Sequence, residues 1–233
     1  MKFAIIAAGE GSRLAEEGIS QPKPLVPLLG EPMIARLMRI FSKCQAEEII
    51  VMVNQLHPQT ATFVREYAKT LPCPVRLVEK TTPSSMHSFF EISPLLAGAP
   101  FCLTTVDTIF READFKKYIA AFQASKVDGM MAVTDFIDDE KPLYVGTDET
   151  LNITGFFDAQ GTATYISGGI YCLTPKTLQT LQRCMTEGQS RMRNFQRALV
   201  ADGFHLKAYP FPKILDVDHA SDIVKAEMFL KEI

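Results

Sequence analysis

The chain has 233 residues, 47% of them hydrophobic, which is enough to bury the core of one domain. Its net charge of −3 is small and no basic run interleaved with aromatic residues occurs, so we expect no nucleic-acid surface and no membrane surface. The five cysteines are odd in number, widely spaced and without a CxxC pair, which argues against a disulfide framework or a zinc site. The N-terminal apolar segment is too short for a signal peptide and no segment approaches transmembrane length, so the sequence predicts a cytoplasmic protein.

Residues 2–8 form the first apolar segment, and their composition is typical of a buried parallel strand. Gly9 and Gly11 follow directly and permit a tight turn in which the backbone approaches a ligand without interference from a Cβ atom. Ser12 and Arg13 come next, so amide donors and a guanidinium group converge beyond the carboxyl end of the strand. Open α/β sheets bind anions at that edge. This part of the chain therefore predicts a loop that holds a triphosphate.

Two common phosphate-binding motifs do not fit this loop. A P-loop needs a second glycine, a lysine and a serine or threonine at fixed spacing, and Gly9 is followed by no such set. A dinucleotide fingerprint needs a small residue where Leu14 stands, and an acidic residue where Val53 and Asn54 end the second predicted strand. A different phosphate-binding arrangement is therefore required.

Strand-like and helical segments alternate through the first 135 residues. We predict strands at residues 49–53, 75–78, 101–106 and 129–133, with helices from residues 31 and 58 and over 84–96 and 113–124. This order favours a parallel sheet covered by helices on both faces. Residues 143–155 and 164–173 then read as two strands separated by a turn near 158–161, followed by helices over 175–185 and 191–201. Such an insertion is expected to extend the sheet and cap the cleft.

The glycine turn and a second motif downstream together resemble a known family. Residues 9–14 read GEGSRL and residues 22–25 read PKPL, close to a signature of glycine-x-glycine-threonine-arginine-leucine followed by proline-lysine-x-leucine. Both motifs in this order resemble the sugar-phosphate nucleotidyltransferases, the NTP transferase family that contains the NDP-sugar pyrophosphorylases. Ser12 keeps the hydroxyl of the usual threonine. The resemblance implies one Rossmann-like α/β domain over 1–233, with a mixed, mostly parallel sheet sandwiched by helices. Its nucleotide-binding half would be 1–135, and 136–233 would form a β-rich acceptor-binding half.

The reaction that the resemblance implies is transfer of an NMP group from an NTP to a sugar 1-phosphate, which yields an NDP-sugar and pyrophosphate. Arg13 is expected to hold the β- and γ-phosphates, and Lys23 the α-phosphate and the acceptor phosphate. Residues 82–88 occupy the place of the family's base-binding loop, although Ser84 and Met86 stand where the family has glycines. A helix N-cap at Ser84 or Ser85 is an equally good interpretation. The residues expected to bind the nucleotide are Ala7, Ala8, Gly9, Gly11, Ser12, Ser85 and His87.

Nucleotidyl transfer requires a cation to neutralise the phosphates, and the resemblance implies Mg²⁺. Asp107 directly follows the apolar segment 101–106, where the family has a magnesium-binding aspartate, although Val106 replaces the usual preceding glycine. The alternative is a turn or helix-capping aspartate at a strand end. Asp216 and Asp218 precede the last predicted helix, and strand alternation predicts that only one of them reaches the metal while the other caps that helix. The sequence does not choose between them.

The acceptor site is expected between Asp158 and Tyr171. Gly168 and Gly169 interrupt an apolar strand, where glycine marks a bulge or the close approach of a ligand. A similar glycine-isoleucine-tyrosine stretch lies beside the sugar in the family, which implies that Asp158, Gly169 and Tyr171 bind the acceptor; a plain bulge is the other interpretation. The family's glutamate-lysine-proline acceptor motif is missing near Asp158, so the acceptor stays open.

Two other functions compete with NDP-sugar synthesis. A short cytidylyltransferase that activates phosphocholine or another alcohol phosphate would need an aromatic, acidic pocket, for which the chain offers Phe156, Phe157, Asp158, Tyr165 and Tyr171. A non-catalytic regulatory protein that binds nucleotide sugars has little need for Arg13, Lys23 and Asp107 together. The expected partners are thus an NTP and a phosphorylated small molecule, while the nucleobase and the oligomeric state stay open.

Overall fold

The computed structural model describes residues 1–138 and 141–231. The strands are β1 (Lys2–Ala7), β2 (Pro27–Leu28), β3 (Glu31–Pro32), β4 (Glu48–Val53), β5 (Val75–Glu79), β6 (Phe101–Thr105), β7 (Thr108–Ile109), β8 (Gly129–Thr134), β9 (Tyr144–Thr147), β10 (Ile153–Phe157), β11 (Tyr165–Leu173), β12 (Leu206–Pro210) and β13 (Leu215–Asp216). The helices are α1 (Ser12–Glu16), α2 (Met33–Lys43), α3 (Pro58–Ala68), α4 (Ser85–Leu96), α5 (Glu112–Ala124), α6 (Leu178–Thr186), α7 (Met192–Ala201) and α8 (Ala220–Lys231), with 3₁₀ turns at Lys23–Leu25 and Pro175–Thr177.

The centre of the sheet is parallel and runs in the order β5, β4, β1, β6. β11 continues it in the antiparallel sense beside β6, and β8 pairs with β11 on the other side while β12 pairs with β8 in parallel. Because β1, β4 and β6 are parallel, the residues that follow their carboxyl ends gather at one edge. The predicted phosphate loop, Asn54 and Asp107 therefore share that edge.

Alternate residues of β1 divide the core into two layers. Phe3, Ile5 and Ala7 belong to the cluster that contains the apolar faces of α2, α5 and α8, whereas Ala4 and Ile6 belong to the cluster of α4, α6 and α7. Each side of the sheet is thus covered by helices, as the alternating pattern predicts. In the part of the chain that the structure describes, no helix has the length and apolar character needed to cross a bilayer.

The segment 143–155 is a hairpin of β9 and β10, so the prediction of a single strand there was wrong. Asp148 causes the reversal, because its Oδ1 accepts hydrogen bonds from the backbone N–H groups of Thr150 and Asn152 at 2.8 and 2.9 Å. Leu151 completes the turn with a φ of 66°. An aspartate that binds the backbone two residues on is a turn-forming device that apolar periodicity does not reveal.

β11 contains the bulge that one interpretation of Gly168 and Gly169 predicts. The register against β8 shifts between Ser167 and Tyr171, and Gly169 has a φ of 72°, which L side chains rarely adopt. A Cβ atom at Gly168 would collide with the Ile214 side chain. The backbone conformation therefore favours glycine at 169, and a side chain at 168 would have to displace the end of Ile214.

Candidate active site

The predicted phosphate loop connects β1 to α1 and forms one wall of a cavity of about 590 Å³, which we call the first cavity. Gly11 is the N-cap of α1 with a φ of 65°, and a Cβ atom built there would lie 2.9 Å from the Cβ of Lys23. The absence of a side chain at Gly11 thus allows the 3₁₀ turn that carries Lys23 to pack against the loop.

The first cavity collects most of the residues predicted to act on the NTP. Its lining includes Ala8, Gly9, Gly11, Ser12, Arg13, Lys23, Ser84, Ser85, Asp107 and Asp218. Among the residues described, Ala7 and His87 do not line it: Ala7 is buried within β1, and the Nδ1 of His87 lies 2.8 Å from the Ser84 hydroxyl. Ser84 also accepts a hydrogen bond from the His87 backbone and is the N-cap of α4, so the capping interpretation is confirmed for Ser84. Ser85 borders the cavity as the first residue of that helix.

Lys23 is the electrostatic centre of the first cavity. Its Nζ lies 2.5 Å from Asp107 Oδ2 and 2.6 Å from Asp218 Oδ1, and Arg13 Nη1 lies 3.1 Å from Asp218 Oδ2. Burial opposes the charged form of Lys23, but Asp107 and Asp218 outweigh it and raise the pKa of the ammonium group. Burial likewise opposes the charge on Asp107, but Lys23 and Thr105 keep the pKa of that carboxyl below its ordinary value. The site therefore holds an ammonium ion between two carboxylate groups.

A short pair of strands brings the two carboxylates together. β13 pairs with β7 so that Asp216 faces Thr108, and the Val217 N–H donates to the Asp107 carbonyl at 3.1 Å. The next residue, Asp218, thereby reaches Lys23, while Asp216 lies on β13 and borders a different cavity. The sequence showed two equivalent aspartates, and this pairing distinguishes their positions.

Two acidic residues other than Asp216 and Asp218 accept hydrogen bonds from the backbone at the start of α8. Asp222 Oδ2 accepts from the backbone N–H groups of Asp218 and His219 at 3.2 and 2.9 Å. Glu17, just after α1, accepts from the backbone of Ala220 and lies 2.6 Å from His219 Nδ1. Glu17 thus ties the phosphate-loop helix to the start of α8, close to Asp218.

Asn54 supports the first cavity although sequence reasoning gave it no positive role. It is 2% exposed at the end of β4, its amide donates to the Ala8 carbonyl at 3.2 Å, and its Oδ1 accepts from Thr81 at 2.8 Å. One side chain therefore holds both the phosphate loop and the segment that leads to Ser84 and Ser85. A polar residue at the carboxyl end of a buried strand, next to a phosphate loop, was the signal that could have identified it.

A second cavity of about 460 Å³ adjoins the first, and Arg13 and Asp218 line both. Its wall contains Asp216 and Gly168, whereas Gly169 is not among the described residues that line it. Tyr171 is 7% exposed and its hydroxyl accepts a long hydrogen bond from Gln196. Asp158 lies elsewhere, in ion pairs with Arg193 and Arg197. The three residues predicted to bind the acceptor are therefore not brought together.

The aromatic pocket considered for a quaternary amine is formed by only some of the residues named for it. Phe156 and Tyr171 are 4% and 7% exposed and belong to the core between the sheet and α4, α6 and α7. Phe157 is half exposed and its ring packs over Gly146 and Gly155. Phe156, Phe157 and Asp158 line one cavity of about 610 Å³, whereas Tyr165 and Tyr171 do not line it, so the structure brings together three of the five residues named for this pocket.

The residues at Lys23 fit a divalent cation through two carboxylates. Asp107 and Asp218 both place an oxygen within 2.6 Å of one ammonium nitrogen, so the two groups already converge on one positive charge. Hard cations such as Mg²⁺ take oxygen ligands, and one or two carboxylates together with substrate phosphates are a common set for Mg²⁺. No group of three or more His, Cys, Asp or Glu side chains suited to a metal occurs within residues 1–138 and 141–231. Asp107 and Asp218 therefore fit a divalent cation whose remaining ligands come from the substrate.

Comparison with known proteins identifies the family of this chain. The MobA-like NTP transferase domain matches residues 3–202. The chain belongs to this family. The nucleotidyltransferase resemblance of the sequence is thereby confirmed, and so is its assignment to a family of transferase enzymes.

Named relatives of this MobA-like NTP transferase include mannose-1-phosphate guanylyltransferase 1 of Arabidopsis thaliana. That protein is 23% identical over 217 residues, which cover 90% of this chain and 59% of the relative. CMP-5'-(3-aminopropyl)phosphonate synthase of Streptomyces rubellomurinus is 26% identical over 158 residues, which cover 60% of this chain and 25% of the relative. This chain therefore spans only part of the length of either relative.

Solved structures share the fold over nearly the whole chain. The inositol-1-phosphate CTP transferase from T. maritima has a TM-score of 0.82 and 20% identity, and the match covers 99% of this chain and 96% of that one. The UDP-glucose pyrophosphorylase from Acinetobacter baumanii has a TM-score of 0.80 and 18% identity, with 98% and 92% covered. The predicted α/β fold with a largely parallel central sheet is thereby confirmed.

Gly11 of this MobA-like NTP transferase offers a direct test of the phosphate loop. A left-handed residue other than glycine costs about 1 kcal/mol or more, and the Cβ of Gly11→Ala would also press on Lys23. We expect Gly11→Ala to raise the KM for NTP about tenfold by displacing the loop, and to lower kcat by displacing Lys23. Gly18→Ala is the matched control, because Gly18 has a φ of 89° but no atom within 4 Å of its Cβ position.

Stability and kinetics separate the two effects. Both variants should unfold at a lower temperature than the wild type in a thermal melt, because both glycines are left-handed. Only Gly11→Ala should change the KM for NTP in a steady-state assay of pyrophosphate release. Equal KM values for the two variants would contradict the proposed contact between the loop and the NTP.

Proposed function

We propose that the protein transfers an NMP group from an NTP to a phosphorylated small molecule, with release of pyrophosphate, and that a sugar 1-phosphate is the acceptor. The observation that carries the proposal is the position of Lys23. It lies in the first cavity beside the phosphate loop, between Asp107 and Asp218, and Asp218 also lines the second cavity. A transferred phosphoryl group needs positive charge at a junction of two substrates.

The reaction needs little covalent chemistry from the protein. A phosphate monoester has a second pKa of about 6, so the acceptor is a dianion at neutral pH. Its phosphate oxygen forms a bond to the α-phosphorus of the NTP, the bond from that phosphorus to the β-phosphate bridging oxygen breaks, and pyrophosphate leaves with the electron pair. Arg13 binds the β- and γ-phosphates, and Lys23 binds the α-phosphate and the acceptor phosphate. Catalysis then consists of positioning and charge stabilisation.

Asp107 and Asp218 would hold Mg²⁺ together with the NTP phosphates. A bound Mg²⁺ would neutralise phosphate charge and stabilise the charge that develops on the leaving group. Asp218 is the preferred partner of Asp107 because both contact the same ammonium group, and Asp216 remains the alternative from β13. The charged Lys23 occupies the place between the two carboxylates, so substrate binding must redirect its Nζ towards phosphate oxygens.

The two cavities divide the substrates between them. Residues 1–135 would supply the phosphate loop and, through Ser85, a wall for the nucleoside, whereas 136–233 would supply most of the acceptor site. The role of His87 would be indirect, through its contact with Ser84. An NTP substrate also supports a location in the cytoplasm.

Alcohol phosphates are the second class of acceptor. The second cavity carries many charged side chains, among them Asp216, Arg193 and Lys225, and such groups bind the hydroxyl groups of a sugar or of a cyclic polyol equally well. The inositol-1-phosphate CTP transferase matches this chain over almost its full length. A regulatory protein without turnover is less well supported, because the charge arrangement around Lys23 serves a reaction between two phosphates.

Pyrophosphate release tests the proposal. The full chain is incubated with Mg²⁺, each of ATP, GTP, CTP, UTP and dTTP, and a panel of sugar 1-phosphates and alcohol phosphates. We expect one pair to release pyrophosphate at a rate that depends on both substrates. The NMP-acceptor product is identified by mass spectrometry. Binding of an NTP without turnover across the panel, in either direction of the reaction, would contradict catalysis and favour the regulatory alternative.

A further inference from the structure

Three arginines surround a third cavity of about 610 Å³, beyond the second one. Arg191, Arg193 and Arg197 line it together with Lys141 and Asp158, and we call it the arginine cavity. Arg193 and Arg197 are four residues apart on α7 and project from the same face of that helix. Among the described residues that line the cavity, Asp158 is the one acidic side chain, so its charge does not balance the three guanidinium groups.

Two of the arginines are already oriented by the fold. Arg193 Nη1 lies 2.7 Å from Asp158 Oδ1 and its Nη2 donates to the Lys141 carbonyl at 3.1 Å. Arg197 Nη2 lies 2.7 Å from Asp158 Oδ2 and its Nε donates to the Phe156 carbonyl at 3.1 Å. Each guanidinium group has five N–H donors in a fixed plane. Contacts to Asp158 and to the backbone leave further donors for a ligand, at a small cost in side-chain entropy.

The arginine cavity is connected to the candidate active site. Lys141 and Arg193 line both the arginine cavity and the second cavity, and Arg13 and Asp218 line both the second cavity and the first. The shared walls place the second cavity between the first cavity and the arginine cavity. Within the described part of the chain, the arginine cavity shares lining residues with the second cavity but not with the first. We therefore assign the three arginines to the acceptor rather than to the NTP.

We propose that the acceptor carries a second anionic group, a carboxylate or a phosphate, which binds in the arginine cavity while the reacting phosphate lies at Lys23. The proposal rests on the proposed nucleotidyl transfer and specifies its acceptor class: sugar or polyol monophosphates with an acidic group at the far end, such as uronic acid 1-phosphates or sugar bisphosphates. Planar guanidinium groups pair with carboxylates and phosphates through two parallel hydrogen bonds, and this geometry recognises that group.

Matched acceptors that differ only in the distal group test the proposal. The probes are glucose 1-phosphate, glucuronic acid 1-phosphate and glucose 1,6-bisphosphate. Their binding is measured by isothermal titration calorimetry, with and without a mixture of α,β-methylene NTP analogues that cannot transfer the NMP group. We expect at least one of the two probes with an anionic distal group to bind about tenfold more tightly than glucose 1-phosphate. This difference in affinity should decrease as the salt concentration rises from 0.05 to 0.5 M, because the arginines are partly exposed and salt screens their charge.

Two variants with opposite expected effects locate the contact. Arg191→Gln should remove most of the preference for the acidic probes and leave glucose 1-phosphate unchanged. Asp158→Asn should strengthen the preference a few fold, since it removes the competing carboxylate and keeps one oxygen for the arginines. Arg65→Gln is the matched control, because Arg65 is an exposed arginine on α3 that pairs with Glu79 and lines none of the three cavities.

Each remaining outcome decides against the proposal. Equal binding of all three probes would overturn it, and so would a preference that Arg191→Gln does not alter or that Asp158→Asn weakens. Acidic probes that bind at the arginines without competing with glucose 1-phosphate would show an anion site unrelated to the reaction. Failure of the nucleotidyl transfer itself would be seen separately, as calorimetric binding without pyrophosphate release from any NTP.

Discussion

Asp107→Asn is expected to lower kcat by at least about a hundredfold while the protein stays folded. The carboxamide has the size of the carboxylate but lacks the charge that would help to hold the divalent cation. Loss of one such oriented electrostatic contact in the transition state costs about 3 kcal/mol, which is about a hundredfold in rate. The measurement is steady-state pyrophosphate release as a function of Mg²⁺ concentration, with circular dichroism and thermal melts to verify folding.

Asp114→Asn serves as the control for Asp107→Asn. Asp114 lies on α5, and its side chain is 21% exposed compared with 22% for Asp107. Asp114 pairs with Lys117 and lines neither the first nor the second cavity, so Asp114→Asn should keep wild-type kinetics. Wild-type activity in EDTA, or full activity of Asp107→Asn in Mg²⁺, would contradict the metal assignment.

Asp216→Asn and Asp218→Asn decide which aspartate completes the site. Asp218 contacts both Lys23 and Arg13, whereas Asp216 is held on β13 opposite Thr108. We expect Asp218→Asn to raise the Mg²⁺ concentration required for half-maximal activity far more than Asp216→Asn does. A larger effect at Asp216 would assign the metal to β13 and leave Asp218 as a partner of Lys23 and Arg13.

The sequence predicts the parts of the site that depend on local patterns. A short apolar strand followed by Gly9, Gly11 and Arg13 specifies a phosphate loop, because strand, glycine turn and donors are adjacent in the chain. Asp107 follows the β6 segment in the chain, and its metal role is predicted by the resemblance to the sugar-phosphate nucleotidyltransferases. Alternating strands and helices predict that β1, β4 and β6 are parallel, which places both features at one edge of the sheet.

Features that depend on contacts distant in sequence could not be predicted. The choice between Asp216 and Asp218 depends on the pairing of β13 with β7, and the capping of α8 depends on Glu17, about 200 residues earlier. Local polar chemistry was misread as well. Asp148 turns the chain inside an apolar segment, so one predicted strand is a hairpin. The aromatic residues near Asp158 are the residue types that a pocket for a quaternary amine needs. Which of them are buried in the core depends on which face of β10 and β11 meets the helices.

Replacement of Lys23 and replacement of Arg13 are expected to change different kinetic constants. Lys23 is 10% exposed between two carboxylates, whereas Arg13 is 55% exposed at the mouth of the first cavity. Lys23→Met keeps most of the side-chain volume and removes the charge that is proposed to act on the α-phosphate in the transition state. We expect kcat to fall by about a hundredfold with little change in the KM for NTP. Arg13→Gln should instead raise the KM for NTP about tenfold, because contacts to the leaving phosphates already exist in the ground state.

Metal binding without substrate provides an independent test of Lys23. In the free protein the Lys23 ammonium group pairs with both Asp107 and Asp218, so a divalent cation has to compete with it for these carboxylates. Lys23→Met removes the ammonium group between the two carboxylates and leaves Arg13 paired with Asp218 alone, and the uncompensated negative charge favours the binding of a metal ion. We therefore expect Mn²⁺ to bind Lys23→Met more tightly than the wild type in the absence of NTP, as measured by electron paramagnetic resonance, while turnover falls. Wild-type Mn²⁺ affinity together with wild-type kinetics would show that the two ion pairs only join the phosphate loop to α8.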